Sequence, residues 1–231
     1  MAKNLPKNLQ TGLVLWLDWT VDGTTARDVS GSLNNGTTVG SPTTQRVVQN
    51  KGFVLNGSSQ YVNTNFVPQF WTVSFTMSVW IKTSTSQADK RIFWCYNAWS
   101  TPNTILHIIS HDPAIASNNR IWHELRCSNN IVALLNYGTY PINDWQYHLA
   151  TIVVNRTTNF VHAYLDGWLV LSTAVTFTGT FTADTRPSTV WAILAPTATS
   201  FWAGNAVNPM IWYRDLSHTE VQQLHKATYI K

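Results

Sequence analysis

Hydrolysis of a glycosidic bond needs two carboxylates placed on either side of the sugar, and this chain has few acids to offer. It contains only two glutamates, Glu124 and Glu220. Glu220 falls in Ser217-His218-Thr219-Glu220, where it completes a helix capping box. Glu124 lies in Ile121-Trp122-His123-Glu124-Leu125-Arg126, with no carboxylate two residues away and Arg126 on its own strand face. That spacing favours a strand ion pair over an acid–base pair. No G-x-S-x-G elbow is present, and neither Cys95 nor Cys127 has an adjacent activating base. His107 and His111 are four residues apart in a strand, ~13 Å, too far to share a zinc ion. The residue types point away from an enzyme and toward binding.

The aromatic residues offer that binding chemistry. Trp94 and Tyr96 share one face of a predicted strand, Trp122 and Glu124 share a face of another, and Trp99 follows in the intervening loop. If those strands are neighbours and their face is open, the rings form a platform with polar edges, suited to the CH faces of sugars. The same patch also suits a protein interface, where Trp, Tyr and Arg are enriched. Against both stands the ordinary fate of Trp, which is high average burial; many of the 12 tryptophans must fill the core.

The elements that would position these side chains are strands. Hydrophobic residues make up 44% of the 231 and charged residues only 11%. The apolar residues come in short runs separated by Thr, Asn, Ser and Gly, a pattern of half-buried pleated surfaces. The run Trp145–Ser172 organises the chain. It holds strands Leu149–Val154 and Phe160–Leu165 joined by Asn155–Asn159, and Asp166-Gly167 then turns into Trp168–Ser172. Asp-Gly between alternating apolar residues is a strong hairpin signal. Val161, Ala163 and Leu165 point to one face, His162 and Tyr164 to the other. Further strands are expected at Gly12–Trp19, Gly52–Leu55, Gln60–Val62, Phe75–Lys82, Arg91–Asn97, Thr104–Ser110, Arg120–Cys127, Ile131–Leu135, Phe177–Phe181, Val190–Leu194 and Pro209–Arg214. The polar stretch after Trp19 reads as successive turns. A helix of about two turns follows Ser217, its Val221 and Leu224 closing one edge of a sandwich. Residues 1–11, with Pro6 among alternating Lys and Asn, read as an extended arm able to dock on a neighbouring subunit. Residues 12–231 read as one all-β domain.

The net charge of +4 arises from 15 basic and 11 acidic residues scattered along the chain, which leaves no nucleic-acid footprint. No run of 18 apolar residues exists to span a membrane as a helix, and the N-terminus lacks an apolar signal segment. The two cysteines are expected as buried reduced thiols, with pairing open only if their strands adjoin.

Taken in order, GLVLWLDW, DVSGSLNNGT, FVLNGSSQYV, FTMSVWIK, WQYHLATIVV, VHAYLDGWLV and MIWYRDLSHTEVQQL resemble the laminin-G-like branch of the concanavalin A-like lectin/glucanase jelly rolls. The resemblance spans about Gly12 to Leu224 and implies a jelly-roll β-sandwich of two antiparallel sheets. It also implies a loop that can hold Ca²⁺, and Asp28, Ser30 and Asn34 keep that loop's pattern. Asn56 stands where the resemblance implies a turn aspartate, however, and the acidic pair implied near Val207-Asn208 is absent. The loss of formal charge weakens a Ca²⁺ site. The expectation is therefore no cofactor, with Asp28 making an Asx-turn and Ca²⁺ at Asp28, Ser30 and Asn34 as the alternative. Such jelly rolls host enzymes, lectins and structural modules alike. The expected function is a non-enzymatic module on a virion surface, such as a capsid decoration or tail-associated protein, made in the cytoplasm and assembled with other subunits. Glycans are a further expected partner. The alternatives are a stand-alone carbohydrate-binding or adhesion module at a cell surface and, more remotely, a glucanase-like hydrolase.

Overall fold

A computed structural model describes residues 5–18, 24–47, 50–70, 73–84, 90–96, 105–111, 121–127, 130–136, 140–177, 189–190, 193–195 and 197–230. In chain order the strands are β1 Leu13–Asp18, β2 Thr25–Asp28, β3 Gly36–Val39, β4 Thr43–Val47, β5 Asn50–Asn56, β6 Tyr61–Thr64, β7 Phe75–Lys82, β8 Arg91–Tyr96 and β9 Ile105–His111. They continue with β10 Ile121–Cys127, β11 Asn130–Asn136, β12 His148–Asn155, β13 Phe160–Leu165, β14 Trp168–Ala174, β15 Thr189–Val190, β16 Ile193–Ala195, β17 Thr197–Thr199 and β18 Ala203–Trp212. The helices are α1 Lys7–Gln10 and α2 His218–Thr228.

Among the described residues, every ladder is antiparallel. One layer runs β14-β13-β12-β7-β18-β1, with β5 and then β4 added along the first half of β18. The other runs β11-β10-β9-β8-β15-β6-β3-β2, and the β1–β2 pairing joins the two. Phe75, Met77, Val79, Ile152 and Val154 of the first layer meet Val62, Ile92, Ile121 and Leu125 of the second in one buried cluster. That shared core makes the fold a β-sandwich of two antiparallel layers, as the alternating runs predict.

The first layer also buries its other face. Trp80, Leu149, Val153, Tyr164, Val207 and Trp212 pack beneath Leu5, Leu9, Val221 and Leu224. So α2 does not close an edge; it covers the outer face. It is also longer than expected, at 11 residues, and Thr228 continues its buried stripe beyond Leu224. Its capping box forms as the sequence indicates, with Ser217 Oγ accepting from the Glu220 amide at 3.3 Å and Glu220 Oε2 accepting from the Ser217 amide at 2.9 Å.

Residues 5–11 are not an extended arm. Leu5 and Leu9 are buried on the outer face around the single turn of α1. The Leu9 carbonyl accepts from Trp212 Nε1 at 2.7 Å. Arg214 donates to the carbonyls of Asn8 and Thr11 while binding the Glu220 carboxylate through both terminal nitrogens. The two leucines were too sparse to register as an amphipathic pattern, yet a buried sheet face rewards each of them.

The polar stretch after Trp19 likewise contains β2, β3 and β4. Only Ala26 and Asp28 of β2 are buried, so pairing with neighbours, rather than apolar alternation, makes these strands. Residues 178–181 of the expected Phe177–Phe181 strand lie outside the described residues. Cys95 is on β8 and Cys127 on β10, with β9 between them. Two strand spacings are about 9.5 Å, beyond the Cα separation a disulfide tolerates.

Candidate functional site

The structure brings four of the five platform residues to one part of the second layer. Trp94 is in register with His107, and His107 with Glu124. Tyr96 opposes Ile105, which opposes Arg126, and Trp122 opposes Ser110. Since β9 intervenes, Trp94 and Glu124 occupy one cross-strand row about 10 Å apart. Trp122 and Glu124 alternate along β10 with buried Ile121, His123 and Leu125. Trp99 lies outside the described residues.

Asp28, Ser30 and Asn34 also come together. Asp28 is buried, and its Oδ1 accepts from the amides of Trp16 and Ser30, each at 2.9 Å. Its Oδ2 accepts from Ser30 Oγ and the Asn34 amide, again at 2.9 Å. Asn34 Nδ2 donates to the Val14 carbonyl. The carboxylate thus ties the loop to β1, the Asx-turn arrangement extended by one strand contact. Asn56 does similar work in its turn, its Oδ1 accepting from the amides of Ser58 and Ser59. Among the described residues, no group of three or more His, Cys, Asp or Glu side chains is placed to hold a metal ion.

A third cluster was not singled out by sequence reasoning. It lies at the end of the outer face, where the last residue of β7, the loop before β12, the β13–β14 turn and the end of α2 converge on a cleft of about 390 Å³. Its lining includes Lys82, Tyr147, Asp166, His225, Tyr229 and Ile230. Lys82 is on the outer face because β7 alternates, with Met77, Val79 and Ile81 in the core. Lys82 Nζ lies 4.6 Å from the Trp145 ring centroid and 5.1 Å from that of Tyr147, within cation–π range. Trp145 is 48% exposed and Tyr229 55%.

The loop is held under local strain. Trp145 has φ 63°, a conformation that bulky side chains rarely adopt and that clusters at functional sites. Its amide donates to the Thr83 carbonyl at 3.1 Å. The opposing hairpin is set by Asp166 and Gly167, with φ 52° and 82°, the two positive values a type I′ turn requires. A Cβ on Gly167 would stand 3.2 Å from His225 Cβ, so the glycine also admits α2 to the cleft.

The charges are arranged around His148. Its Nδ1 is 2.8 Å from Asp166 Oδ2 and its Nε2 is 3.1 Å from Asp144 Oδ1. Burial works against the imidazolium, but the hydrogen bonds and charges of Asp166 and then Asp144 outweigh it and raise the His148 pKa. Only the protonated ring can donate to both carboxylates. Asp166 Oδ1 accepts from the Leu149 amide at 2.7 Å. His225 stacks on Trp80 at 5.4 Å and meets Tyr229 edge-on at 5.5 Å; burial lowers its pKa, which keeps the ring neutral. Tyr147 Oη accepts from Asn205 Nδ2 at 2.9 Å, leaving its own proton to donate, and burial raises its pKa. The cleft therefore offers aromatic rings, a neutral imidazole, a hydroxyl donor and one ammonium. The sequence signal was present in Asp144-Trp145-Gln146-Tyr147-His148, where aromatic and polar residues alternate ahead of a core strand.

A family model described as the concanavalin A-like lectin/glucanases superfamily matches residues 56–222. No curated protein sequence matches the chain. Among solved structures, the binding domain of Paraclostridial Mosquitocidal Protein 1 superposes with a TM-score of 0.70 at 16% identity, covering 94% of this chain and 52% of that one. The binding domain of botulinum neurotoxin DC in complex with SialylT gives 0.69 at 16%, covering 96% and 53%. A structure of botulinum neurotoxin type C, whose cell entry is dependent upon interaction with two ganglioside molecules, gives 0.68 at 15%, covering 96% and 53%. This chain spans about half the length of these structures, and at such identity the likeness is one of fold.

Proposed function

This chain belongs to the concanavalin A-like lectin/glucanase superfamily, and we propose that it is a non-catalytic carbohydrate-binding module whose contact site is the cleft at the end of the outer sheet face. The observation that carries this reading is one cleft lined by the exposed Tyr229 ring and the polar groups of Lys82, Tyr147 and Asp166, with the exposed Trp145 ring beside it against Lys82. Ring faces take the apolar CH faces of a pyranose, and the polar edges take its hydroxyls, the composition expected of small-ligand sites. The similar folds of toxin binding domains, one solved with SialylT, support a binding role over a hydrolytic one. The row of Trp94 and Glu124, with Tyr96 and Trp122 beside it, is the second candidate contact surface. The test is a glycan array probed with the full chain, with and without added calcium. Reproducible hits are expected; a blank array under both conditions would remove the reading.

A second reading keeps the module on a virion surface, made in the cytoplasm and assembled with other subunits. The observation that favours it is the exposed apolar pair Trp168 and Leu169, at 69% and 46%, on β14 at the end of its layer. Apolar groups so exposed suit a protein partner. Light scattering coupled to size exclusion tests it: a discrete oligomer is expected on this reading, and a monomer at all concentrations counts against it.

A further inference from the structure

We propose that the cleft selects glycans bearing a carboxylate, with Lys82 as the group that recognises the charge; the inference rests on the carbohydrate-binding reading above. The argument begins with the charges that face the cleft. Among the described residues, Asp166 is the one carboxylate in its lining, and both its oxygens are engaged, one by the Leu149 amide and the other by His148. Asp144 is engaged by the same imidazole and by the Gln146 amide. The two acids thus share a single imidazolium and make their hydrogen bonds within the protein.

Lys82 stands differently. Among the described residues, no carboxylate lies within ion-pairing distance of its ammonium. Its partners are the rings of Trp145 and Tyr147. Ring faces hold a cation in place without neutralising it or consuming its N–H donors. Lys82 is also only half-buried, so those donors remain open to a ligand. Beside it the Tyr147 hydroxyl keeps its proton to donate, since it accepts from Asn205. A fixed ammonium and a hydroxyl donor next to exposed aromatic faces match a sugar that carries its carboxylate on or beside a pyranose ring. A neutral sugar would meet the rings and offer the ammonium hydroxyl oxygens but no opposite charge.

The test compares 3′-sialyllactose, a hyaluronan tetrasaccharide and lactose as ligands for the full chain, titrated by calorimetry. Sialyllactose or the hyaluronan fragment should bind about tenfold more tightly than lactose, the order of one hydrogen bond to a charged group. Whichever of the two binds identifies the acidic sugar as sialic or uronic. That preference should shrink as salt rises from 50 to about 500 mM, because the charge is partly exposed. Lys82→Met should bring acidic-glycan affinity down to the lactose level, while Lys82→Arg retains the preference. Equal affinities in the wild type, insensitive to salt, would overturn the inference while leaving the carbohydrate reading in place. Binding of none of the three would also overturn the inference, and the array then decides the carbohydrate reading by itself.

Discussion

The two faces of strand β7 are built by one alternating run and do different work. Its inward residues Phe75, Met77, Val79 and Ile81 join a core of aliphatic and phenyl side chains between the two layers. Its outward residues are Thr76, Ser78, Trp80 and Lys82, and each of the first three is hydrogen-bonded. Thr76 Oγ1 joins the Arg214 carbonyl and the Leu216 amide, Ser78 pairs with Thr151, and Trp80 Nε1 donates to Thr228. The inner face is held by apolar contact, whereas the outer face adds to its apolar cluster hydrogen bonds to elements that arrive later in the chain. The lesson is one of specificity: hydrogen bonds fix where α2 sits, and its last turn in turn shapes the cleft at Lys82.

The largest expected effects test that contrast directly. Phe75→Ala and Trp80→Ala should each cost about 3–5 kcal/mol in urea unfolding, as large aromatics lost from a core do. Amide hydrogen exchange should separate them. Trp80→Ala should release protection in α2 ahead of the sheet, while Phe75→Ala lowers protection throughout. Equal loss of protection everywhere in both variants would break the distinction between the faces. A smaller effect is expected at the clasp between the termini. Arg214→Ala removes bonds to Glu220 and to two carbonyls of residues 8–11; the expected cost is about 2 kcal/mol, with early protease cleavage near Thr11. An unaltered cleavage pattern would show that Leu5 and Leu9 suffice.

The remaining effects are those of pH, and the two sheets should differ in sign. In the second layer His123 is fully buried, and burial pushes its pKa down to about 3. A depressed histidine contributes stability that is present above its ordinary value near 6.5 and lost as pH falls toward the folded value. His148 has the opposite sign: its pKa is raised, so its contribution is complete below about 6.5 and is lost as pH rises through the folded value. Melting temperatures from about pH 4 to pH 9 should fall on both limbs. His148→Gln should flatten the alkaline limb alone; an unchanged alkaline limb would mean that the two carboxylates do not hold a proton there.

Much of this architecture was legible in the residues. Phe75–Lys82 and Phe160–Leu165 are strands with the bounds their alternation gives, and Ser217 and Glu220 cap α2 as their spacing requires. What escaped was whatever has no period. β2, β3 and β4 carry too few apolar residues to alternate, and α1 is too short to show a stripe. The cleft escaped for a further reason. Lys82, Tyr147, Asp166 and Tyr229 are separated by many residues and meet only because β12 lies beside β7 and α2 folds back over both. Aromatic residues close in sequence drew attention to Trp94 and Tyr96, whereas proximity across the sheet assembled the cleft.

The central claim is that the outer-face cleft binds carbohydrate, and one titration tests it most directly. An array-selected glycan is titrated against the wild type, Trp145→Ala and Trp94→Ala, with circular dichroism confirming that all three are folded. The account predicts that Trp145→Ala weakens binding about tenfold or more, the order of one lost ring contact with its hydrogen bonds, while Trp94→Ala binds as the wild type does. Loss of binding in Trp94→Ala with Trp145→Ala unaffected would contradict it and move the site to the β8–β10 rows.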